Sequence, residues 1–368
     1  MQPKILFILH LPPPVHGASM VSKRMMNSSL INSSFNTNYI NLATSFNLED
    51  IGKRGHNKIS ALIKIQKNIF KALIKTNYDI CYMTLTAKGP GFYKDFFVVL
   101  LLKLFRKKIV YHFHNKGVRA NSNTWLKKFC YRFVFRKTKT ILLSPSLYED
   151  ISDYVKSADV YYCANGIPDI NSTSNNKVAD ERINFLFLSN MMEAKGVLTL
   201  LKACNLLKNK NLKFKCNFVG NWSDIDESKF SNKVESYKLT NYVVAHGKKY
   251  GVDKNPFLAQ ADVFIHPTHE DCFPLVLLEA MQNNLAIIAS KEGAIPEIVT
   301  EGKSGFLIQK KNAEELAVTM EKFIKNPELI KTMGNEGNRI YKASFTFQTF
   351  EKRIISILND INKTNTGL

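Results

Sequence analysis

Residues 183–207 read INFLFLSNMMEAKGVLTLLKACNLL, and their pattern changes twice. An apolar run rich in Ile, Leu and Phe ends at Ser189 and gives way to a polar loop. From Gly196 to Leu207 the apolar residues return at helical spacing. Apolar runs alternating with helical stretches belong to parallel sheets that carry helices on both faces. If the pattern is general, the whole chain is α/β.

It recurs on both sides. Upstream, KILFIL, TNYINL, DICYMTL, KIVYHFH and TILLSPS read as strands, separated by helical stretches at 60–75, 92–105 and 124–136. Downstream, LKFKCNFVG, YVVAHG, ADVFIHPT, LAIIAS and GFLIQ continue the series, with helices predicted at 274–282, 313–325 and 327–343. A polar stretch, NSTSNNKVADER, between the two series reads as a linker or surface loop. The expectation is two facing doubly wound domains, 1–165 and 166–345, and a terminal amphipathic helix, 346–368, packing back toward the first. Ligands then belong in the cleft, at the carboxyl ends of the strands.

Composition fits this. A chain of 368 residues, 45% hydrophobic and 22% charged, is long enough for two ordinary cores. Its most apolar stretch, beginning at Phe96, is about half the length of a transmembrane helix. The N-terminus lacks a small-residue cleavage site and reads as a first strand rather than a signal peptide. Six scattered cysteines show neither zinc spacing nor a disulfide framework, which suits a reducing cytoplasm. The net charge of +20 is lopsided: residues 1–180 hold 26 Lys and Arg against 10 Asp and Glu. Such a half is expected to meet something anionic, a nucleic acid or a membrane surface, unless the excess reflects only a Lys- and Asn-rich genome.

The chemistry-bearing residues cluster after strands. The loop after the first strand, with Gly17 and Ala18 opening a helix, is either an ordinary turn or a phosphate-binding helix N-terminus. His112 and His114 share a face of the fourth strand, and His114, nearer the strand end, is the candidate for function; His112 is undecided. Lys195 precedes a helix N-terminus, where a cation opposes the macrodipole and calls for an anion. In HEDCFPLVLLEAMQ, residues 269–282, Glu270 and Asp271 suit the entrance of a helix opened by Pro274, whereas Glu279 sits between Leu278 and Ala280. A carboxylate there needs a partner or a ligand. Asp224 and Asp226 read as a loop or a helix cap, so no metal site is expected.

In order, these features resemble the retaining nucleotide-sugar glycosyltransferases of family 4, which have the GT-B fold. The resemblance runs through the Pro/Gly loop at 12–19, His114, Asn165-Gly166-Ile167, Lys195-Gly196, Gly247, CFPLVLLEAM and GAIPEIVTEGKSGFLI. It implies that Lys195 holds a donor diphosphate, helped by backbone amides near Gly17 and near Phe273, Pro274 and Leu275. It also implies that Glu279 binds ribose hydroxyls, that Asp271 contacts the transferred sugar, and that His114 touches that sugar and aligns the reaction. No metal or other cofactor is implied beyond the nucleotide-diphosphate sugar itself. Two departures stand out: the acid eight residues before Glu279 is Asp271 where the family has Glu, with Glu270 one place early, and Asn190 occupies the family's phosphate-binding Arg position.

The resemblance also implies an acceptor in the basic first half, a glycan or a polyprenyl-diphosphate-linked glycan of bacterial-type cell-surface polysaccharide synthesis. Residues 125–137, WLKKFCYRFVFRK, interleave aromatic and basic side chains like an interfacial helix, so the enzyme is expected on the inner face of the cell membrane. The rivals are a nucleotide-sugar epimerase of related fold, a non-catalytic nucleic-acid- or sugar-binding protein, and an inactive relative.

Overall fold

A computed structural model describes residues 2–44, 56–169 and 181–364. The expected linker at 171–182 lies almost wholly outside them. Two units divide the chain: Met1–Gly166 with Phe347–Leu368, and Ile167–Thr346.

In the first unit six strands, β1 (Lys4–Leu9), β2 (Asn36–Asn41), β3 (Ile80–Thr84), β4 (Ile109–His112), β5 (Lys139–Leu142) and β6 (Val160–Tyr162), pair in the order β2-β1-β3-β4-β5-β6. Every pairing is parallel; Ile5–Ile8 run beside Ile80–Met83 on one side and Thr37–Ile40 on the other. Five of the six residues of KILFIL are fully buried, as a strand covered on both faces requires. The helix Phe347–Lys363 buries Phe350, Ile354, Leu358 and Ile361, one stripe at helical spacing, within this unit. Its carbonyl end is met by Lys108, whose Nζ donates to Ile361 O at 3.1 Å, a favourable place for a cation.

In the second unit β7 (Ile183–Leu188), β8 (Phe214–Val219), β9 (Val243–Ala245), β10 (Val263–His266), β11 (Ala286–Ser290) and β12 (Gly305–Ile308) pair in the order β12-β11-β10-β7-β8-β9, again all parallel. The opening stretch is β7, a polar loop and the helix Val197–Asn209. Phe185 and Phe187 of β7 and Cys216 and Phe218 of β8 join Leu200, Leu201 and Cys204 of that helix in one buried cluster. Each such side chain contributes about 1.5–3 kcal/mol of burial. Both units are thus doubly wound α/β domains.

Three differences from the sequence reading have physical reasons. β4 and β5 end at His112 and Leu142 rather than running on to His114 and Ser146. Beyond β4 the chain leaves the ladder, and Asn115 Oδ1 takes the Ala87 amide at 2.8 Å. The edge strand β6 is three residues long and largely unburied, too short for a periodicity to register. The helix Glu227–Ser236 was missed because only Phe230 and Val234 of its ten residues are buried; the side chain of Asp226 starts it by accepting from Lys229 N at 2.7 Å. All six cysteines are buried and free.

Candidate active site

In the second sheet the chain runs outward from β7 to β9 and returns to the other side of β7 as β10. The loops after β7 and β10 therefore diverge at a topological switch point, where open α/β sheets bind ligands. The β7 loop ends in a tight turn, Glu193–Lys195, followed by Gly196 in the left-handed region at φ 82°. The β10 loop starts at Pro267 and ends at Pro274, which opens the helix Leu275–Gln282.

The two loops are stitched together. Ala194 O accepts from His269 N at 2.8 Å and from Thr268 Oγ1 at 3.2 Å. Lys195 Nζ donates to Glu270 O at 2.9 Å and to Asp271 Oδ2 at 2.6 Å. His266, at the tip of β10, brings Nε2 to 3.3 Å from the same Asp271 oxygen, and Cys272 N donates to Asp271 Oδ1 at 2.9 Å. Burial by itself raises the Asp271 pKa, but the His266 hydrogen bond and the Lys195 charge outweigh it and hold the carboxyl well below the usual range. Asp271 is thus a carboxylate in a knot of donors. Glu270 is exposed and contributes its carbonyl to Lys195.

Lys195 was expected to need an anion, and in this structure Asp271 supplies it. Glu279 was expected to need a partner. Lys254, from the turn Gly251–Lys254, donates to both of its oxygens at 2.6 Å. The two acids of the motif therefore each hold a lysine, delivered by different segments. The helix they bracket has no side-chain cap at its N-terminus, so Phe273, Pro274 and Leu275 present an uncapped first turn. Asn190, after β7, offers its carbonyl to Met192 N at 2.8 Å and brings no cation. Gly247, just past β9, adopts φ 63° and accepts from Gly220 N at 2.9 Å.

Three residues of this site escaped the sequence reading. His266 ends β10 and was taken for a strand residue, although the strand-end rule that found its neighbours applies to it equally. Glu292 follows β11 in the same way; it is buried, lies 3.4 Å from Asp271 N through Oε1 and pairs with Lys310 at 2.6 Å. Lys254 carries no local signal. Asp226 caps a helix and Asp224 Oδ1 accepts Glu193 N at 3.1 Å; among the described residues no group of three or more His, Cys, Asp or Glu could hold a metal ion.

The first unit places Gly17 and Ala18 at the start of the helix Gly17–Met26, where His16 and Ser19 form a reciprocal cap. His112 is fully buried and its Nδ1 meets the Tyr82 hydroxyl. The His114 ring lies tilted against it, centroids 4.3 Å apart, and neither of its buried ring nitrogens finds a partner among the described residues. Burial, with His16 adding to it, drives the His114 pKa down to about 3; burial also lowers His10, beside Lys94, and His112.

These shifts set a pH dependence. A histidine with a lowered folded pKa gives stability that is full above the unfolded value of 6.5 and is lost as pH falls toward the folded value. His114 alone is expected to cost the first unit about 2 kcal/mol by pH 5. Asp271 acts in a lower window, because stability from a depressed carboxyl is lost only as pH falls through its folded pKa. Melting followed from pH 7 to pH 5 should fall, and His114→Phe should flatten the fall; an unchanged slope would refute the assignment.

Set beside known proteins, the fold is that of the GT-B class. The crystal structure of the Anabaena protein HepE in complex with UDP superposes with a TM-score of 0.73, covering 98% of this chain and 100% of that one at 16% identity. The family model for glycosyl transferases group 1 matches residues 170–340, nearly the whole of the second unit. Over 188 residues the chain is 24% identical to the putative colanic acid biosynthesis glycosyltransferase WcaL of Salmonella typhimurium, covering 49% of this chain and 45% of WcaL. Over 194 residues it is 24% identical to the capsular polysaccharide biosynthesis glycosyltransferase CapM of Staphylococcus aureus, covering 52% and 50%. The alignments thus span about half the length of these curated relatives.

Proposed function

We propose that this chain is a retaining, metal-independent hexosyltransferase that moves a sugar from a nucleoside-diphosphate donor to a glycan or polyprenyl-diphosphate-linked acceptor in cell-surface polysaccharide synthesis. The observation that carries the proposal is the meeting of Lys195 and Asp271 at the switch point of the family-matched domain. A donor diphosphate takes the Lys195 ammonium from Asp271 and sits over the uncapped first turn of the helix at Leu275. Asp271, released, turns to hydroxyls of the sugar. Glu279 accepts the ribose hydroxyls, and Lys254, bonded to both of its oxygens, holds the carboxylate in place.

In the transfer itself the bond from the anomeric carbon to the leaving phosphate oxygen breaks as the acceptor oxygen bonds to the same face. The acceptor proton passes to the departing phosphate oxygen. The charge that develops there is met by Lys195 and the helix amides, donors already oriented before the reaction begins. In the first unit both ring nitrogens of His114 have hydrogen-bonding capacity left for the sugar.

A thermal-shift panel of UDP-, GDP- and ADP-sugars tests the proposal, with UDP compounds first because HepE was solved with UDP. A ligand that binds only the folded state raises its melting temperature, by about 2.7 kcal/mol of stabilisation at a hundredfold excess over Kd. One donor is expected to do so, and Glu279→Ala is expected to abolish the shift without lowering the unliganded melting point by more than a few degrees. No shift with any donor would overturn the reading, and turnover of the donor without an acceptor would favour the epimerase.

A further inference from the structure

The helices His56–Lys75, Gly89–Leu104 and Trp125–Phe135 connect β2 to β3, β3 to β4 and β4 to β5. Parallel strands joined in that order by right-handed crossovers put all three helices on one face of the first sheet. They pack edge to edge: Phe70 meets Phe105, at the end of the middle helix, at 5.7 Å, and Phe96 meets Phe133 at 5.4 Å. Lys103 bridges the second seam by donating to Arg136 O at 2.6 Å.

Their outer surface is the reverse of what a solvated helix layer shows. The first helix exposes Ile59, Ile63, Phe70 and Ile74, the middle one Tyr93, Phe97, Leu100 and Leu104, each set on one side at helical spacing. The third exposes Trp125, Leu126 and Phe129. Trp125 is 78% exposed, Leu104 70% and Ile74 65%. These three helices hold eleven of the eighteen large hydrophobic residues exposed among the described residues, a concentration that marks an interaction surface.

Charge selects the occupant. The three helices carry ten Lys and Arg and a single acid, Asp95, which is buried and ion-paired with Lys94 at 3.3 Å. A second copy of the chain would set like charges against each other, and a nucleic acid offers nothing to the Ile, Leu and Phe stripes. An anionic bilayer satisfies both, taking the apolar side chains into the headgroup boundary and the lysines onto its phosphates. Where the middle and third helices begin, a recess of about 360 Å³ opens, lined by Gly89, Pro90, Tyr93, Asn121 and Lys127. Among the described residues no helix is long and apolar enough to cross a membrane.

We infer that the outer face of these three helices is a membrane-docking surface that seats the first unit on an anionic bilayer. The inference extends the sequence expectation, which rested on the basic excess of the first half and on residues 125–137, and it stands independently of the transfer reaction. Cosedimentation of the full chain with phosphatidylcholine vesicles, with and without roughly a third phosphatidylglycerol, tests it. Binding is expected to the anionic vesicles and to weaken with salt. Lys127→Ala and Lys128→Ala should each weaken it about fivefold. Leu104→Ser and Trp125→Ser should also weaken it, and because both side chains are exposed these variants should melt like the parent. Equal binding to neutral vesicles, no binding to either, or a concentration-dependent dimer abolished by the same serine variants would each overturn the inference.

Discussion

Lys195→Ala should lower sugar transfer by about two to three orders of magnitude, the usual cost of removing one oriented donor from a developing phosphate charge. The geometry makes a sharper test available, because Lys195 also has a structural partner. Removing it leaves Asp271, largely enclosed, with His266 and the Cys272 amide as its remaining donors. The single variant should therefore also lose about 1–3 kcal/mol of stability, the cost of an under-paired carboxylate. In the double variant Lys195→Ala/Asp271→Asn the charge on both sides is gone. Stability should return toward the parent, while transfer and the donor-induced thermal shift should not. If the double variant recovers transfer, the pair is a strut and the diphosphate is held elsewhere.

The second large effect is steric. A Cβ on Gly196 would lie 2.1 Å from Pro267 O and 2.8 Å from Pro267 C, backbone atoms of the loop it has to approach, and φ is 82°. Gly196→Ala combines a left-handed strain of about 1–2 kcal/mol with overpacking of about 1–3 kcal/mol. It should thus destabilise the second unit by about 3 kcal/mol. Because the same approach brings Lys195 to Asp271, donor binding should fall with it. Gly247 is the control: its φ is 63°, yet a Cβ there would meet nothing within 4 Å. Gly247→Ala should cost about 1–2 kcal/mol, from strain alone. Urea midpoints measured on both variants decide the point, and equal losses would show that the contact with Pro267 is not what requires glycine.

Much of the architecture was legible because its signals are local. A strand apolar along its length, a polar turn and an amphipathic helix lie within some 25 residues, and their alternation specifies parallel sheets. The strand-end rule points to His114 and the helix dipole to Lys195, whereas Asp271 enters through the family resemblance. The same rule, applied to every strand, would have reached His266 and Glu292 as well. Where the reading overran, at the ends of β4 and β5, it counted polar residues that turn out of the ladder.

What the sequence by itself determined, then, is the class of fold, since it rests on neighbours within one strand, loop and helix. What only the tertiary structure decided is who partners whom. Lys195 and Asp271 are 76 residues apart and Lys254 and Glu279 are 25, and no periodicity links such positions; sheet order and loop convergence do. The docking face is of the same kind. The third helix reads as interfacial by itself, but the apolar stripes of the other two read in isolation as ordinary core contacts, and only crossovers that lay all three on one side of the sheet turn them into a single surface.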